Sequence, residues 1–238
     1  MTAKRFTNPV FVALDTPDLE RAYAIAKAVA PYVGGLKVGL EFITANGPEG
    51  VRKIVALGKP VFADVKFHDI PNTVAGAARE IARLGSMLFN IHASGGEEMM
   101  RAAADAARGI DPRVKVIAVT ALTSLDDEVL ASVGQRGPAA EQVLRLATLA
   151  KHSGLDGVVC SAHEIAPLRK ALGPDFMLVV PGIRPAGADL ADQRRVMTPG
   201  KAHAEGADIL VIGRPITAAA DPAAAAKAIV AEFDPTFA

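Results

Sequence analysis

The sequence predicts a single (β/α)8 TIM barrel, an α/β fold, from two observations. Eight short β-rich runs alternate with Ala-rich segments whose apolar residues recur at helical spacing. The chain has 238 residues, and eight strand–helix units in a chain of about 250 residues are typical of one such barrel. We therefore expect residues 1–238 to form a single domain.

Each strand is predicted from a compact apolar run bounded by turn residues. In chain order the runs are PVFVAL, GGLKVG, PVFADV, SMLFNIH, VKVIAVT, DGVVCS, FMLVVP and DILVIG. The competing architecture is an open doubly wound sheet, which usually has fewer strands and a glycine-rich turn after the first. The first strand here ends in ALDTPD, which contains no glycine.

The segments between the strands favour helices. The clearest are DLERAYAIAKAVAPY, NTVAGAAREIARLG, GGEEMMRAAADAARG and PAAEQVLRLATLAKHSG, and several of these stop at a glycine that suits a C-cap, as in RLGS and HSGL. In the last helix, DPAAAAKAIVAEF, Asp221 is predicted as the N-cap with Pro222 at the first helical position. Residues 181–200 show little periodicity, and we expect this long connection to be a substrate loop.

Composition excludes several functional classes. Lys plus Arg and Asp plus Glu each number 26, so the formal net charge is zero. The charge therefore gives no indication of a nucleic acid or an anionic membrane as a partner. The one cysteine, Cys160, lies in an apolar run and is expected to be inert and buried. The N-terminal apolar run is too short for a signal peptide, and no run is long enough to span a membrane. These features predict a cytoplasmic protein.

The third strand ends in charged residues, which is unusual for a buried strand. Side chains alternate along a strand, so Phe62, Asp64 and Lys66 share one face while Ala63 and Val65 share the other. Barrel enzymes carry their chemistry at the carboxyl ends of the strands. We therefore expect Asp64 and Lys66 to face the mouth of the barrel.

Other strands end in polar residues that are expected at the same mouth. They are Asp15, Lys37, His92, Thr120, Thr123, Gly213 and Arg214. Asp15 has an equally plausible role as the cap of the first helix, as do Thr16 and Asp18, and His92 is more typical of a hydrogen-bonded structural residue. Lys37 lies within a strand, where an unpaired ammonium is costly, so we expect it to have a partner.

A phosphate site is predicted beside the last strand. Gly213 offers backbone N–H groups and Arg214 offers a charged fork, at the loops where barrels frequently bind phosphate. Arg184 and Gln193 of the long loop are expected to close over it. No His or Cys cluster has the spacing of a metal site, and the sequence contains neither a P-loop nor G-x-G-x-x-G, so no metal or organic cofactor is expected.

Several motifs together resemble one enzyme family. DVKFHDIPNT matches a D-x-K-x-x-D-I-x-x-T signature, and VALD, LKVG, TALTS, PGIRP, DQRRVMTP and VIGRPI follow the family's order from about residue 10 to residue 217. On these residues the chain resembles the orotidine 5′-monophosphate decarboxylases. The D-x-K-x-x-D element alone is shared with keto-gulonate-phosphate decarboxylases and hexulose-phosphate synthases.

The resemblance implies a role for each matching residue. Lys66 would protonate C6 of the pyrimidine, and Asp64 would lie beside the departing carboxylate. Lys37 and Asp15 would hold the charged network and the ribose hydroxyls. The remaining matches are Asp69, Ile70 and Thr73, supplied to the neighbouring subunit of a homodimer; Thr123, near the base; and Arg184, Gln193, Gly213 and Arg214, at the phosphate or in the loop closed over it.

Two other functions stay open on the sequence. One is decarboxylation or aldol chemistry on a sugar phosphate through a Mg²⁺-stabilised enediolate, for which Glu41 is an available ligand. The other is a phosphate-ligand-binding barrel without turnover, in which the charges are structural.

Overall fold

The computed structural model describes residues 6–135, 137–185 and 197–233. Eight parallel strands, each hydrogen-bonded to the next, close into a barrel when the eighth pairs with the first. The predicted (β/α)8 barrel is confirmed. The strands are β1 (Val10–Ala13), β2 (Gly35–Val38), β3 (Val61–Phe67), β4 (Leu88–His92), β5 (Lys115–Val119), β6 (Gly157–Val159), β7 (Met177–Val180) and β8 (Ile209–Ile212).

The described residues form ten α-helices around this barrel, with three short 3-10 turns. The helices are α1 (Leu19–Val29), α2 (Leu40–Val55), α3 (Pro71–Arg83), α4 (Gly96–Arg108), α5 (Asp127–Ser132), α6 (Ala139–His152), α7 (Ile165–Leu172), α8 (Pro199–Glu205), α9 (Arg214–Thr217) and α10 (Pro222–Ala231). All five helical segments predicted above are present.

Helix ends follow the local sequence. The Asp221 carboxylate accepts hydrogen bonds from the first backbone N–H groups of α10, as predicted. At α1 the cap is Asp18, whose Oδ1 accepts from the Arg21 N–H at 3.0 Å. The alternative of Asp15 as this cap is therefore wrong, and its carboxylate is available for another role. The glycines after α3 and α6, Gly85 and Gly154, have φ of 86° and 80°, a left-handed conformation that suits a C-cap.

The alternation of side chains along each strand builds two apolar layers. Inward residues such as Phe11, Phe62, Leu88 and Ile117 fill the barrel. Outward residues, Ala63 among them, pack beneath the helices. Filling the interior leaves a solid floor, so a ligand can enter only at an end of the barrel.

Cys160 is 1% exposed, and burial raises the pKa of its thiol well above the usual value. The expectation of an inert, packed cysteine agrees with this environment. Within the described ranges, no helix combines the length and the apolar character needed to cross a bilayer.

Candidate active site

A cavity of about 510 Å³ opens at the carboxyl ends of the strands. Its size is typical of small-molecule sites. Apolar side chains from the barrel interior form its floor, and polar side chains from the strand ends form its wall. The polar wall includes Asp15, Lys37, Asp64, Lys66, Thr123, Arg184, Gly213 and Arg214, and the floor includes Phe62, Val119, Val159, Val179 and Val211.

Four charged side chains of alternating sign run along one wall, and we call Asp15, Lys37, Asp64 and Lys66 the charge network. Lys37 Nζ lies 2.9 Å from Asp15 Oδ1 and 3.3 Å from Asp64 Oδ2. Lys66 Nζ lies 2.5 Å from Asp64 Oδ1. The partner expected for Lys37 is thus present on each side, and the inward placement of Asp64 and Lys66 is confirmed.

Electrostatics keep the buried part of this network ionised. Lys37 is 6% exposed; burial lowers its pKa, but Asp64 and Asp15 outweigh burial and the net pKa is raised. Burial likewise raises the pKa of Asp64, but Lys37 and Lys66 outweigh it and the net pKa is lowered. Each ion is therefore charged because its neighbours are charged.

The strand that carries Lys66 is irregular at this point. Ala63 lies opposite Phe89 and Phe67 lies opposite Ile91, so four steps along β3 match two steps along β4. Lys66 has φ of 50°, and no other residue except glycine in the described ranges has a positive φ. A lysine in this left-handed region is strained. β3 thus has two more residues than β4 over this stretch. Because two is an even number, the predicted alternation of side chains between the two faces of β3 is kept.

Asn90 of β4 completes the network and was missed by the sequence reasoning. Its Nδ2 donates to Asp64 Oδ1 at 2.7 Å, and its Oδ1 accepts from the Lys66 N–H at 2.8 Å. The available signal was an asparagine inside the apolar run LFNIH, two positions from Leu88 and from His92 and thus on the inward face.

Gly39 leaves room for the network at the end of β2. A Cβ atom added there would lie 2.9 Å from Lys37 Nζ and 3.0 Å from Asp15 Oδ1. Any side chain at this position would therefore press on the ion pair.

Four residues were predicted for a phosphate site, and three of them lie on one cavity. Arg184, Gly213 and Arg214 all line the cavity. Arg184 is 8% exposed, and its Nη1 donates to the Ile183 carbonyl at 2.9 Å. Gly213 precedes α9, and Arg214 is the first residue of that helix. Gln193 and most of the 181–200 loop lie outside the described residues.

Asp69, Ile70 and Thr73 are not brought to the cavity of their own chain. All three are exposed, and Ile70 is 67% exposed. The Asp69 carboxylate accepts a hydrogen bond from the Ile70 N–H at 2.6 Å. Asp69 and Ile70 lie on the segment that joins β3 to α3, and Thr73 lies in the first turn of α3, a few residues beyond Lys66.

Thr120 and His92 differ from the other polar residues at the strand ends. Thr120 is 3% exposed and donates to the Val159 carbonyl at 3.2 Å, while its neighbours Val119 and Ala121 line the cavity. Its expected place at the mouth is therefore wrong, because the alternation puts it on the other face. The His92 ring stacks on His68, with centroids 5.4 Å apart. Burial, His68 and Lys66 together lower the pKa of His92.

Comparison with known proteins identifies the family. The family model described as "Orotidine 5'-phosphate decarboxylase / HUMPS family" matches residues 8–229. The chain belongs to this family. The orotidine 5′-phosphate decarboxylase of Paramagnetospirillum magneticum is 55% identical over 95% of this chain and 98% of that protein. The one of Moorella thermoacetica is 56% identical over 95% of this chain and 92% of that protein.

A solved structure within the orotidine 5′-phosphate decarboxylase / HUMPS family has the same fold. The crystal structure of orotidine 5′-phosphate decarboxylase from Lactobacillus acidophilus superposes with a TM-score of 0.86 at 42% identity, covering 95% of this chain and 99% of that one. The resemblance inferred from the sequence motifs is thus confirmed at the level of family and fold.

The position of Glu41 bears on the alternative function, sugar-phosphate chemistry that depends on Mg²⁺. Glu41, the available ligand, is exposed in the first turn of α2 and does not line the cavity. Among the residues described here, no group of three or more His, Cys, Asp or Glu side chains is arranged to hold a metal ion. The wall of the cavity instead pairs each carboxylate of the network with a lysine.

Proposed function

We propose that this protein decarboxylates orotidine 5′-monophosphate to uridine 5′-monophosphate in pyrimidine biosynthesis, without a metal or organic cofactor. The observation that carries the proposal is the Lys66 ammonium, held 2.5 Å from Asp64 on the wall of the cavity. Family membership and the names of the relatives at about 55% identity support the same reaction.

The chemistry calls for a cation at the reacting carbon. Loss of CO2 from C6 leaves an electron pair in the plane of the ring, where no enolate can delocalise it. A preorganised positive charge therefore has to stabilise the developing carbanion. In the proposed mechanism Lys66 supplies that charge and then transfers a proton from Nζ to C6.

Asp64 has two effects in this mechanism. It pairs with both Lys37 and Lys66 and so fixes the two cations. It would also face the carboxylate of the substrate, and two like charges about 4 Å apart repel by roughly 4 kcal/mol at an effective dielectric near 20. Departure of CO2 relieves this repulsion, so binding energy from elsewhere in the substrate must offset it.

The phosphate is the proposed source of that binding energy. We assign it to Arg184, Gly213 and Arg214 on the cavity wall, with Gln193 in the 181–200 loop closing over it. Asp15 and Lys37 would contact the ribose hydroxyls, and Thr123 would lie near the base. Closure would exclude water, which strengthens the electrostatic interactions inside the cavity.

We propose that the working unit is a homodimer. Asp69, Ile70 and Thr73 are exposed and adjoin the strand that carries Lys66. An exposed isoleucine between two polar residues suits a protein interface. In a two-fold dimer each copy would place these residues in the other's cavity, where Asp69 would add a carboxylate to the charge network. Residues 1–238 would form one domain of this dimer.

The deciding experiment follows the absorbance of orotidine 5′-monophosphate after addition of protein that has been treated with EDTA. We expect conversion to uridine 5′-monophosphate at an undiminished rate. Turnover that is lost with EDTA and restored by Mg²⁺ would favour the metal-dependent sugar-phosphate chemistry. Nucleotide binding without turnover would favour a binding protein.

The shared site can be tested by mixing two inactive variants, Lys66→Ala and Asp69→Asn. In a mixed dimer one cavity has both defects and the other has neither, so random association should restore roughly a quarter of wild-type turnover. Mixing each variant with itself is the matched control. Failure to recover activity in confirmed mixed dimers would contradict the shared site.

A further inference from the structure

Asn90 is a fully buried polar side chain that does not line the cavity. Burying an amide is costly unless both of its ends are hydrogen-bonded. Here both are, to the Asp64 carboxylate and to the Lys66 backbone. A carboxylate can only accept and a backbone N–H can only donate, so these partners fix which end of the amide is oxygen and which is nitrogen.

The hydrogen bond to Lys66 replaces a missing sheet contact. The register between β3 and β4 shifts between Ala63 and Phe67. The Lys66 N–H lies within this shift, and the side chain of Asn90 supplies its acceptor. The same residue has the φ of 50°, a conformation that persists only where surrounding contacts hold it.

The hydrogen bond to Asp64 orients the carboxylate that pairs with the Lys66 ammonium. Asp64 Oδ1 accepts from both Lys66 Nζ and Asn90 Nδ2, at 2.5 and 2.7 Å. Asp64 Oδ2 accepts from Lys37. With three donors around it, the carboxylate is held in one orientation, and Asn90 is the single neutral donor among them. Donation from Asn90 also contributes to the lowered pKa of Asp64.

We propose that Asn90 is a positioning residue that aims Lys66 at the reacting carbon. One amide group stabilises the left-handed backbone of Lys66 and orients the carboxylate that holds its ammonium. Asn90 touches no substrate; it acts through Lys66 and Asp64. The catalytic part of this inference rests on the proposed decarboxylation, whereas the structural part does not.

Two substitutions separate the two hydrogen bonds. Asn90→Leu has a similar volume and removes both. Asn90→Asp keeps an acceptor for the Lys66 N–H but, when ionised, loses the donor and places a second carboxylate against Asp64. When protonated, the introduced carboxyl again offers one donor and one acceptor, as asparagine does. The charged or titratable groups nearest position 90 are Asp64 and Lys66 in direct contact, Lys37 through Asp64, and His92 on the same strand.

The expected results follow from these states. Asn90→Leu should lower kcat about 10²-fold, the loss that a misplaced reacting group can cause, and should change KM little because the phosphate contacts are untouched. Asn90→Asp should also be slow near pH 8. Its kcat relative to wild type should rise roughly tenfold toward pH 5.5, because two adjacent carboxylates raise the pKa of one of them. A purely structural role would not produce this recovery in acid.

Ser153→Ala is the matched control, because it removes a buried side-chain hydrogen bond of 2.8 Å to the Leu149 carbonyl, in a residue that does not line the cavity. It should leave kcat and its pH profile unchanged. The proposal is overturned if Asn90→Leu retains kcat within about threefold of wild type, or if the ratio for Asn90→Asp does not change with pH.

A second measurement does not depend on turnover. Carboxyl carbon NMR of Asp64 should show a higher titration midpoint in Asn90→Leu than in wild type, because a donor to the charged form has been lost. If wild-type protein does not convert orotidine 5′-monophosphate, the proposed function fails, and this measurement alone decides the role of Asn90. An unchanged midpoint would then overturn it.

Discussion

The two ends of the barrel both carry ion pairs, but they use them differently. At the amino-terminal end, Asp156 and Asp208 directly precede β6 and β8. Each accepts the backbone N–H of a neighbouring strand and pairs with an arginine of a nearby helix, Arg108 or Arg169. At the carboxyl end, the charge network joins side chains to side chains on the wall of the cavity.

The difference lies in how fully the cations are bonded. The guanidinium of Arg169 donates to several acceptors at once: the carbonyls of Gly173, Pro174, Phe176 and Gly206, and the carboxylate of Asp208. Within the described ranges the ammonium of Lys66 has one hydrogen-bond partner, Asp64, although it carries three N–H donors. Arg169 is thus bonded mainly to backbone carbonyls, whereas Lys66 has donors that no described residue accepts, on the wall of the cavity.

The largest expected effect comes from breaking the network at Lys66. Lys66→Ala should lower kcat by about 10³-fold or more, since it removes both the electrostatic stabilisation and the proton donor. The thermal midpoint should change little, because the lysine is partly exposed and held by one ion pair. The control is Lys115→Ala, which removes a lysine paired with Asp156 at the other end. A Lys66→Ala rate near wild type would refute the assigned role.

A smaller effect is expected at the phosphate side. Arg214→Ala should raise KM about 10- to 100-fold, the value of a charged hydrogen bond to phosphate, with a lesser fall in kcat because remote binding energy supports the reaction. Steady-state kinetics with orotidine 5′-monophosphate measure both. Lys201→Ala removes an exposed cation of α8 that does not line the cavity and should change neither constant. An unaltered KM in Arg214→Ala would move the phosphate site elsewhere.

Breaking an ion pair at the amino-terminal end of the barrel should lower stability and leave kcat unchanged. Arg169→Met should lower the free energy of unfolding by about 2–3 kcal/mol, because it strands the half-buried Asp208 and several carbonyls. The kcat of the protein that remains folded should be unchanged. Arg113→Met, which breaks an exposed pair with Asp111, serves as the control and should have no measurable effect. Urea unfolding measures the stability, and kinetics on the same samples measure kcat. A lower kcat in Arg169→Met would contradict the proposal that ion pairs at the amino-terminal end serve stability alone.

The smallest expected effect is the pH dependence of the stability that Asp64 contributes. Because the pKa of Asp64 is lowered in the folded protein, its stabilisation is present above the unfolded value of about 3.9 and is lost as pH falls through the folded value. Asp64→Asn should therefore destabilise the fold at pH 7 by about 1–2 kcal/mol, the order of one hydrogen bond to a charged group, and the difference from wild type should shrink below about pH 4. Urea unfolding at several pH values measures it. A difference that stays constant with pH would mean that the charge of Asp64 does not stabilise the fold.

Strand periodicity predicted most of the fold and most of the charge network. Asp15, Lys37, Asp64 and Lys66 could be placed at one mouth because alternation along a strand is a local property that tertiary contacts rarely override. The placement of Thr120 at the mouth was wrong because the sequence does not mark which residues at the end of β5 face inward.

Other features depend on contacts between distant segments. The left-handed Lys66 and the role of Asn90 arise from a shift between two strands, which no single run of residues encodes. The helix α2 was not picked out by its periodicity, because Gly47, with φ of 59°, and Pro48 interrupt it and leave a kink. The exposed Asp69 matches the family signature, and its role in the cavity of a second subunit stays a prediction.

The extra length in β3 has a consequence for protein engineering. Copying the four charged side chains onto the regular strands of another barrel would space the equivalents of Asp64 and Lys66 along a strand without the two extra residues. A successful transplant would have to carry the two additional residues and the asparagine of the adjacent strand as one cassette. The charge network therefore depends on the register shift between β3 and β4 as well as on its four charged residues.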